Sequence, residues 1–181
     1  ENNKIVENDP RDLQDDLDVL PMPNYDLTKR YLHDYRPVPI LFKNGPILSL
    51  ITSRGCPFQC KFCAKTHASK WRYHSAEYLV DTIEEQVKNY NFKEMIIFDS
   101  TFNISRERVG SFCDELIKRK IKIKWSASMV LHNITKEMAT KLSRAGCWLV
   151  HAGIESGDDD QLKFISKGIN TKKIAEKIKI L

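Results

Sequence analysis

Short apolar runs alternate with longer amphipathic segments along this chain, and this alternation limits the folds open to it. The apolar runs are predicted strands, at residues 47–51, 95–98, 121–130 and 148–154. The segments between them repeat apolar residues at intervals of three and four, as helices do. Strands joined by helices in this way form a parallel sheet with right-handed crossovers. The sequence therefore predicts an α/β fold with about four strands.

Helix starts are marked by residues that accept hydrogen bonds from the first turn of a helix. Such N-cap residues precede amphipathic segments at Ser75, Ser105, Thr135 and Asp158, and a fifth amphipathic segment starts at Thr171. A short polar side chain at this position satisfies a backbone N–H group that has no partner inside the helix. We therefore expect five helices, four of them after these caps and the fifth from Thr171.

The first 46 residues differ in composition from the rest of the chain. They are rich in proline and acidic residues and have no sustained apolar periodicity, which is typical of a connector. We therefore divide the chain into a connector, residues 1–46, and a partial core domain, residues 47–181. The chain starts with Glu1 instead of Met, and Leu181 falls inside an unfinished amphipathic pattern, so we expect a fragment of a longer polypeptide.

Composition excludes several classes of protein. There is no run of about 18 apolar residues, and residues 1–20 are too polar for a secretory signal, so we expect no membrane span and a cytoplasmic location. The net charge of +5 is spread along the chain, which favours solvated lysines over a nucleic-acid surface. Three of the five cysteines lie within eight positions, which suits a metal or cluster site better than disulfides.

Polar and thiol side chains follow each predicted strand. In a parallel α/β sheet, the loops at the carboxyl ends of the strands meet at one rim, where such folds place their chemistry. We therefore expect four groups of side chains to share one mouth, namely Cys56, Cys60 and Cys63; Asp99 and Ser100; Ser126 and Ser128; and Glu155 and Ser156.

The three cysteines of the first loop are spaced C-x3-C-x2-C. Three thiolates on one short loop can hold three corners of an iron–sulfur cube and leave the fourth iron without a protein ligand. Gly55 and Pro57 suit the tight turns that such a loop requires. The alternative is a zinc site that takes His67 or His74 as its fourth ligand and serves only to staple the loop.

The segment ITSRGCPFQCKFC, residues 51–63, resembles the cluster loop of radical S-adenosylmethionine (SAM) enzymes. GIESG at residues 153–157, followed by Lys167 and Gly168, is similar to a second segment of that family. The resemblance covers roughly residues 47–181 and implies a partial (β/α)6 barrel, truncated after about four strands. It also implies a cluster whose open iron binds SAM, and whose reduction cleaves SAM to a 5′-deoxyadenosyl radical. The thiolates implied as cluster ligands are those of Cys56, Cys60 and Cys63.

The same resemblance implies roles for residues around the cofactor. Phe62 is the aromatic residue expected near the adenine. Ser126, which the strand-end rule and not the resemblance selects, is also expected to face the cofactor. Asp99 would accept a hydrogen bond from the methionine amino group, or else cap the following helix. Glu155 would bind the ribose or another polar group of SAM, or else form a structural ion pair. Lys167 would meet the SAM carboxylate, or else stabilise a helix C-terminus.

LDVLPMPNYDLTKRYL, residues 17–32, resembles the connector found in the cobalamin-binding branch of the family. This implies methylation or related C–H functionalisation with cobalamin held by a domain outside this chain, and a reductant such as ferredoxin or flavodoxin. An arginine common in the family after the third strand is missing around Met129 and Val130, and the substrate is not specified. The alternatives are a radical SAM methylthiotransferase, which would need further cysteines, and a non-catalytic zinc or iron–sulfur module.

Overall fold

The computed structural model describes residues 5–9, 11–64 and 68–181 and contains a parallel four-stranded sheet. Its strands are β1 (Ile47–Leu50), β4 (Glu94–Ile97), β5 (Lys124–Ser128) and β6 (Cys147–His151), in that spatial order. Each strand pairs in parallel with the next one along the sheet. A separate antiparallel hairpin joins β2 (Ser53–Arg54) to β3 (Arg72–Tyr73). The predicted α/β architecture is confirmed.

Five helices follow the predicted caps. They are α1 (Ala76–Tyr90), α2 (Arg106–Lys118), α3 (Lys136–Arg144), α4 (Asp159–Phe164) and α5 (Thr171–Ile178). Ser75, Ser105, Thr135 and Asp158 each accept a hydrogen bond from the first turn of the helix that follows, as predicted. Helix α5 starts at Thr171, as predicted, and its cap is Asn170, whose side chain accepts a hydrogen bond from the Lys173 N–H group.

Two strands are shorter than their apolar patterns suggest. Residues 121–130 were expected to form a strand, but only Lys124–Ser128 does, because Lys124 is the first residue with a partner on β4, at Glu94. The fourth strand was expected at 148–154 and runs from Cys147 to His151. Apolar periodicity indicates which residues are buried, but it does not indicate which of them form hydrogen bonds to a neighbouring strand. It therefore overestimates the length of both strands.

The main core lies between the sheet and helices α1 to α3. Trp125 of β5 is fully buried and meets Phe102 and Phe112 edge to face, with ring centroids 5.6 and 5.5 Å apart. Its indole Nε1 donates to the Ala145 carbonyl at 2.9 Å, so the ring contributes apolar burial without leaving a polar group unpaired. This packing fixes the helices against one face of the sheet and leaves the carboxyl ends of the strands to form a site.

Part of the segment interpreted as a connector packs against the core. Leu17 is buried, and Asp18 Oδ1 accepts from the Ser75 N–H group at 2.9 Å. Arg72 of the hairpin donates to the Gln14 carbonyl at 2.9 Å. These contacts attach residues 14–18 to the hairpin and to the start of α1. None of the helices in the described part of the chain is both long and apolar enough to cross a bilayer.

Candidate cofactor site

The three cysteines of the first loop line one cavity of about 220 Å³ at the carboxyl end of the sheet. The loop is tied down by backbone hydrogen bonds on two sides. The Cys56 N–H group donates to the Ala68 carbonyl at 3.3 Å, and the Lys61 N–H group donates to the Ile165 carbonyl at 3.0 Å. The cysteine loop is therefore held both by its own return segment and by the end of α4.

Gly55 allows the chain to turn into the cysteine loop. Its φ is +87°, a conformation that side chains other than glycine rarely adopt. A Cβ at this position would overlap the Lys70 carbonyl oxygen and lie 2.9 Å from the carbonyl carbon. The loop can therefore close on itself only with glycine at residue 55.

The electrostatic environment of Cys56 contains opposing contributions. Burial raises the pKa of the Cys56 thiol, and the neighbouring thiols of Cys60 and Cys63 raise it further, while the Lys167 ammonium lowers it. A metal or cluster is bound by thiolates and not by thiols, so binding releases protons. Lys167 thus provides the positive charge that favours the ligating form of this loop.

Phe62, Glu155 and Lys167 lie together on the wall of the same cavity. Lys167 Nζ is 3.1 Å from Glu155 Oε1 and 5.8 Å from the centre of the Phe62 ring, which is 56% exposed. A Cβ on Gly153 would overlap Glu155 Oε1 and lie 3.3 Å from Lys167 Nζ. The lack of a side chain at residue 153 leaves room for this ion pair beside the cysteine loop.

Asp99 is not one of the described residues that line the cavity. Its carboxylate is buried and accepts four hydrogen bonds from Thr52 and Ser53. The following helix, α2, is capped by Ser105. Two roles were predicted for Asp99, a contact with SAM and a helix cap. Its carboxylate neither faces the cavity nor caps a helix, so the structure supports neither role.

Ser126 lies inside β5 and not in the loop after that strand, so its predicted location is wrong. The residue is fully buried, and its Oγ has no hydrogen-bond partner among the described residues. Pairing with Leu149 holds Ser126 within the sheet. Ser128, two residues later, lines a shallow depression beside Glu155 and Lys167.

His132 is a cavity residue that the sequence interpretation missed. It lies in a 3-10 turn, Leu131–Asn133, after β5, and its ring meets Phe58 of the cysteine loop edge to face at 5.0 Å. Burial lowers the pKa of His132, and the Lys167 ammonium lowers it further. The strand-end rule, extended by one turn past Val130, predicts His132 at this edge of the sheet.

A zinc site formed by His74 is not what the structure shows. His74 Nδ1 is 3.2 Å from Asp18 Oδ1, its ring stacks on Tyr78, and it lies outside the cavity. His67 lies outside the described residues. Over residues 5–9, 11–64 and 68–181, no three His, Cys, Asp or Glu side chains converge as ligands of a single ion. An iron–sulfur cube takes each thiolate at a different iron, so it does not require that convergence.

Sequence comparison identifies a family and a relative that aligns along nearly the whole chain. The model of the radical SAM superfamily matches residues 50–181. The chain is also similar to an uncharacterised methyltransferase of Pyrococcus horikoshii, with 31% identity over 181 residues. That alignment covers 99% of this chain and 38% of the relative, so the chain spans well under half of the length of that protein.

Two solved structures share the fold. One is a cobalamin-dependent SAM radical enzyme, OxsB, with cobalamin and SAM bound, at 26% identity and a TM-score of 0.66 over 74% of this chain and 22% of its own. The other is a radical SAM methyltransferase, TsrM, from Kitasatospora setae, at 17% identity and a TM-score of 0.67 over 74% of this chain and 28% of its own. The fold is therefore a partial radical SAM barrel, as predicted.

Proposed function

Because this chain belongs to the radical SAM superfamily, we propose that it forms part of the core of an enzyme in which Cys56, Cys60 and Cys63 hold a four-iron, four-sulfur cluster. The observation that carries the proposal is the shared cavity, which brings the three thiols together with Phe62 and the Glu155–Lys167 pair. A structural staple needs ligands only, whereas this cavity adds an aromatic ring and an ion pair. The residues present therefore fit a cluster with a ligand beside it.

When bound, the cluster would supply the difficult chemistry, which is one-electron reduction of SAM and its cleavage to a 5′-deoxyadenosyl radical and methionine. The chain's own residues bind and orient. Lys167 keeps two ammonium protons free of its bond to Glu155, and we assign them to the SAM carboxylate. Glu155 has acceptor positions left for the ribose hydroxyls or the amino group. Phe62 offers a half-exposed aromatic face on which an adenine can stack.

We propose methylation or a related C–H functionalisation, with cobalamin held by a domain outside these 181 residues. The similarity to a methyltransferase of Pyrococcus horikoshii and to the cobalamin-dependent enzyme OxsB supports this proposal. The electron for SAM cleavage would come from a reductant such as ferredoxin or flavodoxin. Free thiols of this kind persist in a reducing compartment, so we place the protein in the cytoplasm.

The test is anaerobic reconstitution of the 181-residue chain with iron and sulfide, followed by electron paramagnetic resonance (EPR) of the reduced protein with and without SAM. We expect about four irons per chain and a spectrum that changes when SAM is added. C60A should lose most of the iron. C147A is the matched control, because Cys147 is a half-buried cysteine outside the cavity, and it should keep the iron.

Two results would contradict the proposal. Zinc in place of iron would identify a structural staple. About four irons per chain, together with an EPR spectrum that does not change when SAM is added, would also contradict it. That result would refute the assignment of Phe62, Glu155 and Lys167 to SAM binding. For the ion pair, K167M is expected to weaken SAM binding by about tenfold, the effect of one lost charge-assisted hydrogen bond.

A further inference from the structure

The carboxylate of Asp99, at the carboxyl end of β4, holds the two residues that lead into the cysteine loop. Its Oδ1 accepts from the N–H groups of Thr52 at 2.6 Å and Ser53 at 3.0 Å. Its Oδ2 accepts from both of their hydroxyl groups at 2.6 Å. All three residues are at most 4% exposed. A buried carboxylate with four donors is fully satisfied and strongly fixes the groups that surround it.

Arg108 of α2 holds the same segment from the other side. Its Nη2 donates at 2.9 Å both to the Thr52 carbonyl and to Thr52 Oγ1, and its Nε donates to the His74 carbonyl at 2.9 Å. Thr52 precedes the cysteine loop and His74 follows it. One guanidinium group therefore joins the two ends of the excursion that carries the cysteines.

Thr52 lies between a buried carboxylate and a buried guanidinium. Its hydroxyl donates to Asp99 and accepts from Arg108, so the two charges are linked through one side chain. Burial lowers the pKa of Arg108 to about 10, with Asp99 opposing this effect, so the guanidinium keeps its charge at neutral pH. Neither charge can be removed without leaving the other poorly compensated in the interior.

The position of Asp99 links this network to two parts of the cavity lining. Ser100 and Thr101, the next two residues, line the cavity directly, while Thr52 and Ser53 lead to the cysteines that also line it. A shift of the Asp99 carboxylate therefore moves the cysteine loop relative to Ser100 and Thr101. Ordinary stabilisation of the core would have no such directional effect.

We propose that Asp99 and Arg108 are positioning residues that act through Thr52 to fix the cysteine loop against the carboxyl edge of the sheet. This inference rests on the proposed function for the identity of what the cysteines bind. The positioning itself is a property of the loop and is measurable without any cofactor. Asp99 thus takes part in the site by holding the loop in place and not by touching SAM.

Glu94 provides a matched control on the same strand. It is as deeply buried as Asp99, and its carboxylate accepts from the Lys43 N–H group at 2.9 Å and from the Asn44 N–H group at 2.8 Å. It lies at the opposite end of β4 and holds the segment before β1. Substitution of Glu94 therefore removes backbone hydrogen bonds to a buried carboxylate without touching the cysteine loop.

The experiment compares D99N and D99A with E94Q and E94A, first as cluster-free protein by hydrogen exchange and then after reconstitution by iron content and midpoint potential. We expect amide exchange at Thr52 and Ser53 to rise at least about tenfold in the Asp99 variants, the effect of losing one buried charge-assisted hydrogen bond. We also expect these variants to lose at least about half of their iron and to shift in potential. The Glu94 variants should lose stability only.

A second pair of variants covers the case in which D99A fails to fold. T52V removes the hydroxyl that joins the two charges and should reproduce the effects on exchange and iron, while T52S keeps the hydroxyl and should restore both. The inference is overturned if Asp99 and Thr52 variants keep wild-type exchange, iron and potential, or if Glu94 variants of equal stability lose as much iron. Wild-type protein without iron would instead refute the proposed function, and the exchange measurement would still test the positioning.

Discussion

Replacing Gly55 by alanine tests whether the cysteine loop depends on the backbone conformation at its entrance. The residue has a φ of +87°, and an added Cβ would overlap the Lys70 carbonyl oxygen. The left-handed conformation costs about 1–2 kcal/mol for a residue other than glycine. The Lys70 carbonyl carbon, 2.9 Å from the added Cβ, must also retreat to an ordinary contact distance of at least 3.4 Å.

That displacement involves backbone on both sides, so no side-chain rotation can absorb it. Overpacking of this kind costs about 1–3 kcal/mol, which makes the expected loss in the free energy of unfolding about 2–5 kcal/mol for G55A. For a chain of this length, each kcal/mol corresponds to roughly 2–4 °C in melting temperature. Urea unfolding of the cluster-free protein, followed by circular dichroism, measures the loss directly.

Two other glycines separate loss of stability from loss of the site. Gly146, between α3 and β6, has a φ of +95°, and its added Cβ would overlap the Ile123 carbonyl oxygen, so G146A should lose a similar amount of stability. Gly157 has nothing within 4 Å of an added Cβ, so G157A should stay within about 0.5 kcal/mol of wild type. Only G55A should also lose iron on reconstitution.

The reasoning fails if G55A unfolds at the same urea concentration as wild type, because the strain would then be absent. It also fails if G146A, at equal stability, loses as much iron as G55A. In that case iron content would follow global stability and would say nothing about the loop. Alkylation of Cys56 and Cys60 by iodoacetamide, read by mass spectrometry, gives an independent measure of loop order in each variant.

Two further predictions concern buried polar groups. S126A should leave the free energy of unfolding unchanged or raise it by up to about 1 kcal/mol, because the buried Ser126 hydroxyl has no partner among the described residues; a clear loss of stability in urea would reveal a partner. Burial lowers the pKa of both His74 and His132, so the unfolded chain binds protons that the folded chain does not. Stability present above pH 6.5 should therefore be lost as the pH falls below 6.5, and H132Q should make this decline shallower in urea titrations at successive pH values.

Local signals in the sequence predicted local structure well. Ser75, Ser105 and Thr135 cap helices as expected, because a cap depends on the three residues that follow it. The parallel sheet was also predictable, since the alternation of strands and helices leaves few topologies. Strand ends were less accurate, because pairing with a neighbouring strand decides where each ladder starts.

Long-range contacts explain what the sequence could not supply. The four donors of Asp99 come from residues almost fifty positions earlier, so its orientation depends on the packing of two loops. The β2–β3 hairpin pairs residues separated by the cysteine loop, and two-residue strands have no periodicity to detect. The cysteine spacing located the loop, and the GIESG segment located Glu155. The contact of Lys167 with Glu155 needed the fold.

The attachment of residues 14–18 to the hairpin has a practical consequence for work with shortened chains. A fragment cut to begin at residue 50, where the family match begins, would expose the surface that Leu17 covers and free Arg72 and Ser75 from the Gln14 carbonyl and the Asp18 carboxylate. The β2–β3 hairpin forms the base of the cysteine loop. Such trimming would therefore remove contacts that hold this hairpin in place and would make the cysteine loop less ordered. The smallest piece suited to purification therefore begins ahead of Gln14.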